Sequence, residues 1–215
     1  GGVGMVGVRG ALERVTWRVV SVVPQGSGHL IYALAPRIAP HCLGTDHQTI
    51  EAIERVVFLG DSVTVGTLPT DASAFYRSIL AQRLARHFGI AAPSEVFGQV
   101  PWQILDMQGG VLTPHSGAFS TCAKWGARTD DLVAGGAQLA RCFATQGTTQ
   151  KTLIVMTLGG NDLMAIQEAG SPGGDGVEAA QALTERTIEH LRAGLAWIFT
   201  PGRFSSGVDV VLASP

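Results

Sequence analysis

The sequence predicts an α/β fold in which a parallel sheet is covered by helices on both faces, and three observations predict it. Val56 to Leu59, Thr152 to Leu158 and Val208 to Ala213 are short, largely apolar runs of β-formers without the strict alternation of a half-exposed strand, as expected of strands buried on both faces. The first two end in glycine-led polar turns, Gly60-Asp61-Ser62 and Gly159-Gly160-Asn161-Asp162. Helical periodicities separate the runs, and alternation of strand and helix is the pattern of a parallel sheet.

Taken in order, residues 1–50 read as a poorly defined amino-terminal segment or linker, and 51–215 as the folded domain. Val19 to Pro36 carries no charge, but Pro24, Gly26 and Gly28 interrupt it, which argues against a membrane-spanning helix. A signal peptide is not expected either, for want of an initiating methionine and a charged start before a compact apolar block. Gly2, Gly4 and Gly7 match the spacing of a dinucleotide fingerprint with no strand before them, and the match is discounted. His41, Cys42, Asp46 and His47 gather four potential metal ligands in one stretch. Their spacing fits no standard site, so an ordinary polar loop is the better account, with Cys42 alternatively half of an extracellular disulfide.

After the first strand, Tyr76, Leu80, Leu84 and Phe88 recur at helical spacing within a helical pattern running from Ser73 to Phe88. They form the inner stripe, with Arg77, Arg83 and Arg86 left for solvent and Gly89 placed to end the helix. Glu95 to Phe97 is a weak second strand, followed to about Trp125 by a Gly- and Pro-rich connection of the kind that is usually functional or mobile. Thr129 is expected to cap the next helix, with Asp130 and Asp131 in its first turn and Leu132, Gly136, Leu139 and Phe143 inside. A long helix from about Val177 to Phe199 turns Leu183, Leu191, Leu195 and Ile198 to one side.

Composition excludes several function classes. The 215 residues are 46% hydrophobic and 15% charged, with a net charge of −2 and lysine only at Lys124 and Lys151. Neither nucleic acid nor an anionic membrane is an expected partner, and no stable membrane insertion is expected. No paired-cysteine motif calls for structural zinc, and no cofactor is expected.

The strand ends carry the chemistry. Ser62 sits on the turn after the first strand, where open α/β sheets hold their ligands, and its hydroxyl is a candidate nucleophile. Gly126 precedes a helix start, where a backbone N–H is free to meet an anion. Asn161 ends a central strand with a side-chain amide. These ends converge in such a topology, and the three donors meet the requirement of an oxyanion hole. Taken singly, Ser62 and the Asn161-Asp162 pair also read as plain turn or cap residues.

Together, Gly60-Asp61-Ser62, Gly126 and Gly160-Asn161-Asp162 resemble the first three conserved blocks of the SGNH hydrolases, also called GDSL lipases and esterases. The resemblance covers about Arg55 to Pro215. It implies a three-layer α/β/α fold of flavodoxin-like strand order and attack by Ser62 on an ester carbonyl. The N–H groups of Ser62 and Gly126 and the Asn161 side chain would hold the oxyanion, with Asp61 structural rather than the triad acid. The family's fourth block, Asp-x-x-His, occurs nowhere in the sequence. The general base is therefore expected beyond Pro215 and the fold is expected to be cut after its fourth strand, because a serine hydroxyl without a base is a poor nucleophile.

Of the six histidines, His87 and His190 read as core or boundary residues, and His115, in the long connection, has nothing to orient it as a base. His29, His41 and His47 belong to the amino-terminal segment. Cys122 and Cys142 flank the second block. The resemblance, whose members include many secreted enzymes, favours a bridge between them over two buried thiols, and with it a secreted or periplasmic location. The partner expected is a small-molecule ester. A non-catalytic flavodoxin-like module binding a small anion or acyl ligand is the alternative, and oligomeric state is not legible.

Overall fold

The chain divides into two units, residues 1–49 and 50–215. A computed structural model describes residues 19–25, 28–33, 50–66, 69–70, 72–92, 117–134, 137–144 and 148–213 of them. In the first unit, β1 (Val19–Gln25) and β2 (Gly28–Ala33) pair antiparallel, so the uncharged stretch holds a hairpin. Among the described residues no helix is long and apolar enough to cross a membrane.

The second unit is built on β3 (Arg55–Gly60), β4 (Phe119–Thr121), β5 (Thr152–Thr157) and β6 (Val208–Ala213). They form one parallel sheet in the order β4-β3-β5-β6, the flavodoxin-like order for the strands present. Alternate residues of the two central strands enter different cores. Val57, Leu59, Ile154 and Met156 pack with Leu132, Leu139, Phe143 and Ile198. Val56, Phe58, Leu153 and Val155 pack with Ala81, Ala85 and Phe119. Both faces of β3 and β5 are dry, which is why their sequences do not alternate.

The first face is covered by α3 (Gln138–Phe143) and α5 (Val177–Ile198) with a 3-10 turn at Thr129–Leu132; the second is covered by α2 (Tyr76–Phe88). Gly194 of α5 is buried against Leu132, leaving no room for a Cβ. At the opposite end of the sheet from the glycine turns, Lys151 and Asp209 pair at 2.7 Å and tie the starts of β5 and β6 together.

Several expectations need correction. Glu95 to Phe97 lies outside the described residues, as does most of the long connection, but the neighbour of β3 in the sheet is Phe119–Thr121, inside the stretch expected to be irregular. The single helix expected from Thr129 is a 3-10 turn and a separate α3. Arg128 rather than Thr129 is the cap residue, its N–H donating to Asp131 at 3.1 Å. Leu132, Leu139 and Phe143 are nonetheless buried. Arg77, expected in solvent, is buried, because Ala81 and Ala85 rather than the larger apolar residues centre α2 on the sheet and Arg77 lies one turn before them. Arg83, Arg86 and also His87 are exposed, and Gly89 ends α2 in the left-handed conformation. After Asn161 the chain makes a full helix, α4 (Gly160–Gly170), rather than a turn.

Cys122, just past β4, is bonded to Cys142 in α3 across a separation of 20 residues. Reducing this bridge is expected to cost about 3 kcal/mol of stability, the loop-closure entropy of a cross-link of this span. The measurement is the urea midpoint with and without reductant, and an unchanged midpoint contradicts it.

Candidate active site

At the carboxyl end of β3 the chain turns through Gly60 at φ +145°. Asp61 leaves the strand with its N–H on the Thr157 carbonyl at 3.1 Å. Its carboxylate accepts from the Val63 N–H at 2.9 Å, which starts α1 (Ser62–Val65). Asp61 is thus a buried cap, consistent with the structural part the resemblance implies for it. Ser62 is half-buried, and neither its hydroxyl nor its N–H has a hydrogen-bond partner among the described residues.

The turn is braced from behind. The Thr64 hydroxyl meets the Leu59 carbonyl at 3.3 Å, the Tyr76 hydroxyl at 2.7 Å and the Thr157 hydroxyl. Burial pushes the Tyr76 phenol up, opposed by its hydrogen bond to Thr64. Arg77 donates through Nε and Nη2 to the Val65 carbonyl at 3.3 and 3.2 Å, and burial lowers its pKa to about 10. Trp125 Nε1 donates to the Gly66 carbonyl at 3.3 Å, joining the loop after β4 to the end of α1.

Gly126 follows on that loop at φ +70°, exposed, its N–H without an acceptor among the described residues. A Cβ there would meet nothing within 4 Å, so the glycine answers to backbone conformation alone. Asn161, half-buried near the start of α4, donates through Nδ2 to the Ala127 carbonyl at 2.8 Å. One amide hydrogen is thereby spent on the residue next to Gly126, and the other is left over. Buried Asp162 holds this arrangement by accepting from Thr129 N–H at 3.0 Å, Thr129 Oγ1 at 2.9 Å and Thr187 Oγ1 at 3.4 Å.

Hydrogen bonds therefore link the second block to each of the other two. Residues flanking Gly126 carry the link: Lys124 N–H and Trp125 reach the Gly60 and Gly66 carbonyls, while Ala127 and Thr129 meet Asn161 and Asp162. Neither described catalytic-base candidate, exposed His87 against the Phe88 ring or half-buried His190, hydrogen-bonds Ser62. His41, His47 and His115 lie outside the described residues. No cluster of three or more His, Cys, Asp or Glu side chains able to hold a metal ion occurs among the described residues.

Burial raises the Asp61 pKa above its ordinary value of 3.8, against the lowering effect of the Val63 N–H, and Asp162 adds to the rise. A folded pKa above the unfolded one means that the stability linked to this group is full below the unfolded pKa and is lost as pH rises through the folded pKa. Asp61→Asn keeps an acceptor for Val63 and cannot ionise. Its Tm relative to wild type is expected to be higher at about pH 7 than at about pH 3; thermal melts at the two pH values decide, and a difference that does not change with pH contradicts the assignment.

No curated protein sequence matches the chain. A solved structure, the extracellular lipase from Streptomyces rimosus, is similar at 22% identity over 74% of this chain, with a TM-score of 0.40. The chain spans 59% of that lipase. The model of the GDSL-like lipase/acylhydrolase family matches residues 56–209, from the first central strand through all three glycine-bearing strand ends, and the chain belongs to that family.

Proposed function

We propose that the chain is a serine hydrolase that cleaves carboxylic esters of small molecules through an acyl-enzyme at Ser62. The observation that carries this reading is a Ser62 hydroxyl without a partner among the described residues, on the turn that ends β3, together with three donors likewise unspent among them: the N–H groups of Ser62 and Gly126 and the remaining amide hydrogen of Asn161. Ser62 Oγ attacks the carbonyl carbon and its proton passes to a general base outside the described residues. The carbonyl oxygen gains the negative charge and is received by the three donors. Collapse of the tetrahedral intermediate expels the alcohol, and water then releases the acid by the same route.

The Cys122–Cys142 bridge favours an oxidising compartment, secreted or periplasmic. The reading is tested by treating the chain with a fluorophosphonate, which reacts with activated serines. Mass spectrometry of the digest is expected to place the adduct on Ser62. Stoichiometric reaction elsewhere, or none while the protein is folded, would remove Ser62 as nucleophile and favour a module that only binds an anion or acyl group.

A further inference from the structure

We propose that Gln138 is a positioning residue for the hydrolase: its carboxamide locks the backbone of Gly60 and so sets the direction from which Ser62 enters the site. The proposal rests on the reading of Ser62 as nucleophile. Gln138 Oε1 accepts from the Gly60 N–H at 2.9 Å, and Gln138 Nε2 donates to the Gly60 carbonyl at 2.9 Å. Both bonds are buried, and the side chain is fully enclosed.

The sheet explains why a side chain is needed there. The register of β3 with β4 ends at Phe58 opposite Thr121. Beyond it, among the described residues, only Cys122 N–H to Phe58 and Lys124 N–H to Gly60 continue along that edge. The inward N–H of Gly60 is met by no strand carbonyl, and Gln138 supplies the acceptor that β4 no longer offers. A carboxamide carries donor and acceptor side by side, so one side chain imitates a stretch of neighbouring strand.

The helix that carries Gln138 is itself fixed. Cys142, four residues on and on the same face of α3, is bonded to Cys122. The Cys142 carbonyl accepts from Arg55 Nη2 at 2.6 Å, at the start of the strand that ends in Gly60. Gln138 thus reaches Gly60 from a helix anchored to both ends of the β3–β4 pair. Ser62 follows two residues later, and its N–H and hydroxyl inherit the orientation of that peptide.

The test uses Gln138→Met, which keeps the volume and removes both bonds, and Gln138→Glu. Amide exchange of Gly60, followed by NMR in folded protein, is expected to accelerate about tenfold in Gln138→Met. Ser62-dependent ester hydrolysis is expected to lose about 10²-fold in kcat with KM within about twofold. In Gln138→Glu the introduced carboxyl can donate to the Gly60 carbonyl only when protonated. Its kcat relative to wild type is therefore expected to recover as pH falls, a response that a space-filling role would not produce.

Unchanged Gly60 exchange in Gln138→Met overturns the clip whatever the activity. Accelerated exchange with unchanged kcat overturns the positioning role alone. A wild-type chain with no hydrolysis above Ser62→Ala fails the hydrolase reading and the positioning role with it, a result the exchange data distinguish from failure of the clip.

Discussion

Ester turnover by the chain falls steeply toward the buffer rate when Ser62 becomes alanine, and imidazole, which accelerates the wild-type chain, leaves Ser62→Ala where it was. The expected loss is at least about 10²-fold and approaches about 10⁶-fold where a dedicated base is present. Both figures follow from what the turn lacks as well as what it offers. Among the described residues the Ser62 hydroxyl has no partner, and its own N–H, the Gly126 N–H and one amide hydrogen of Asn161 are likewise unspent. In the proposed reading these donors receive the oxyanion, while among the described residues neither His87 nor His190 hydrogen-bonds Ser62 to take its proton.

Imidazole in solution takes the place of a positioned base, and an increase of about tenfold to a hundredfold is expected once its own hydrolysis of the ester is subtracted. The experiment is a p-nitrophenyl acetate assay with and without imidazole on wild type and Ser62→Ala. Equal rates for the two proteins at every imidazole concentration would remove Ser62 from the chemistry. The oxyanion donors alone leave a residual catalysis in Ser62→Ala, so its rate need not fall all the way to that of a denatured control.

The parts of the fold legible from sequence are those whose environment is uniform. Strands β3 and β5 were readable because central parallel strands need unbroken runs of β-formers, β6 carries a similar run at the edge of the sheet, and three glycine-bearing strand ends in order pointed to the site. Strand β4 was not. Phe-Ser-Thr is three residues long and two of the three are polar, and the open edge of β3 makes it a strand. Arg128 rather than Thr129 caps the 3-10 turn because the Thr129 side chain is drawn to Asp162, 33 residues away. Gln138 and Gly60 are 78 residues apart. No local pattern encodes such a pair, and a polar residue at the start of a short helix reads as solvent-facing until the sheet is in place. Arg77 misleads in the same way, since its charge predicts solvent and its two bonds to the Val65 carbonyl hold it inside.

Gly60→Ala is expected to cost more than about 4 kcal/mol, a large part of the stability of a domain this size, and to leave little folded protein. Two effects add. At φ +145° the backbone is in a region essentially closed to residues with a Cβ. The Cβ would also fall on the carbonyl and hydroxyl oxygens of Thr157 and within 2.7 Å of Thr64 Oγ1. None of these can yield. Thr157 is the last residue of β5 and its carbonyl binds the Asp61 N–H, while the Thr64 hydroxyl is held by Leu59 and Tyr76.

Gly126→Ala is the control, because it shares positive φ at +70° but has nothing within 4 Å of a Cβ. It is expected to cost only about 1–2 kcal/mol, the left-handed penalty by itself. Urea unfolding of the two variants is the measurement, and equal destabilisation would contradict the combined cost of closed backbone and crowding at Gly60. The outcome bears on the nucleophile turn as a whole. If Gly60 is required by the oxygens of Thr157 and Thr64, then the glycine of Gly-Asp-Ser serves the junction of two central strands and only the serine serves the ester. A Gly60→Ala chain that folds would then have to open that junction, and Ser62, two residues on, would move with it although Ser62 itself is unchanged.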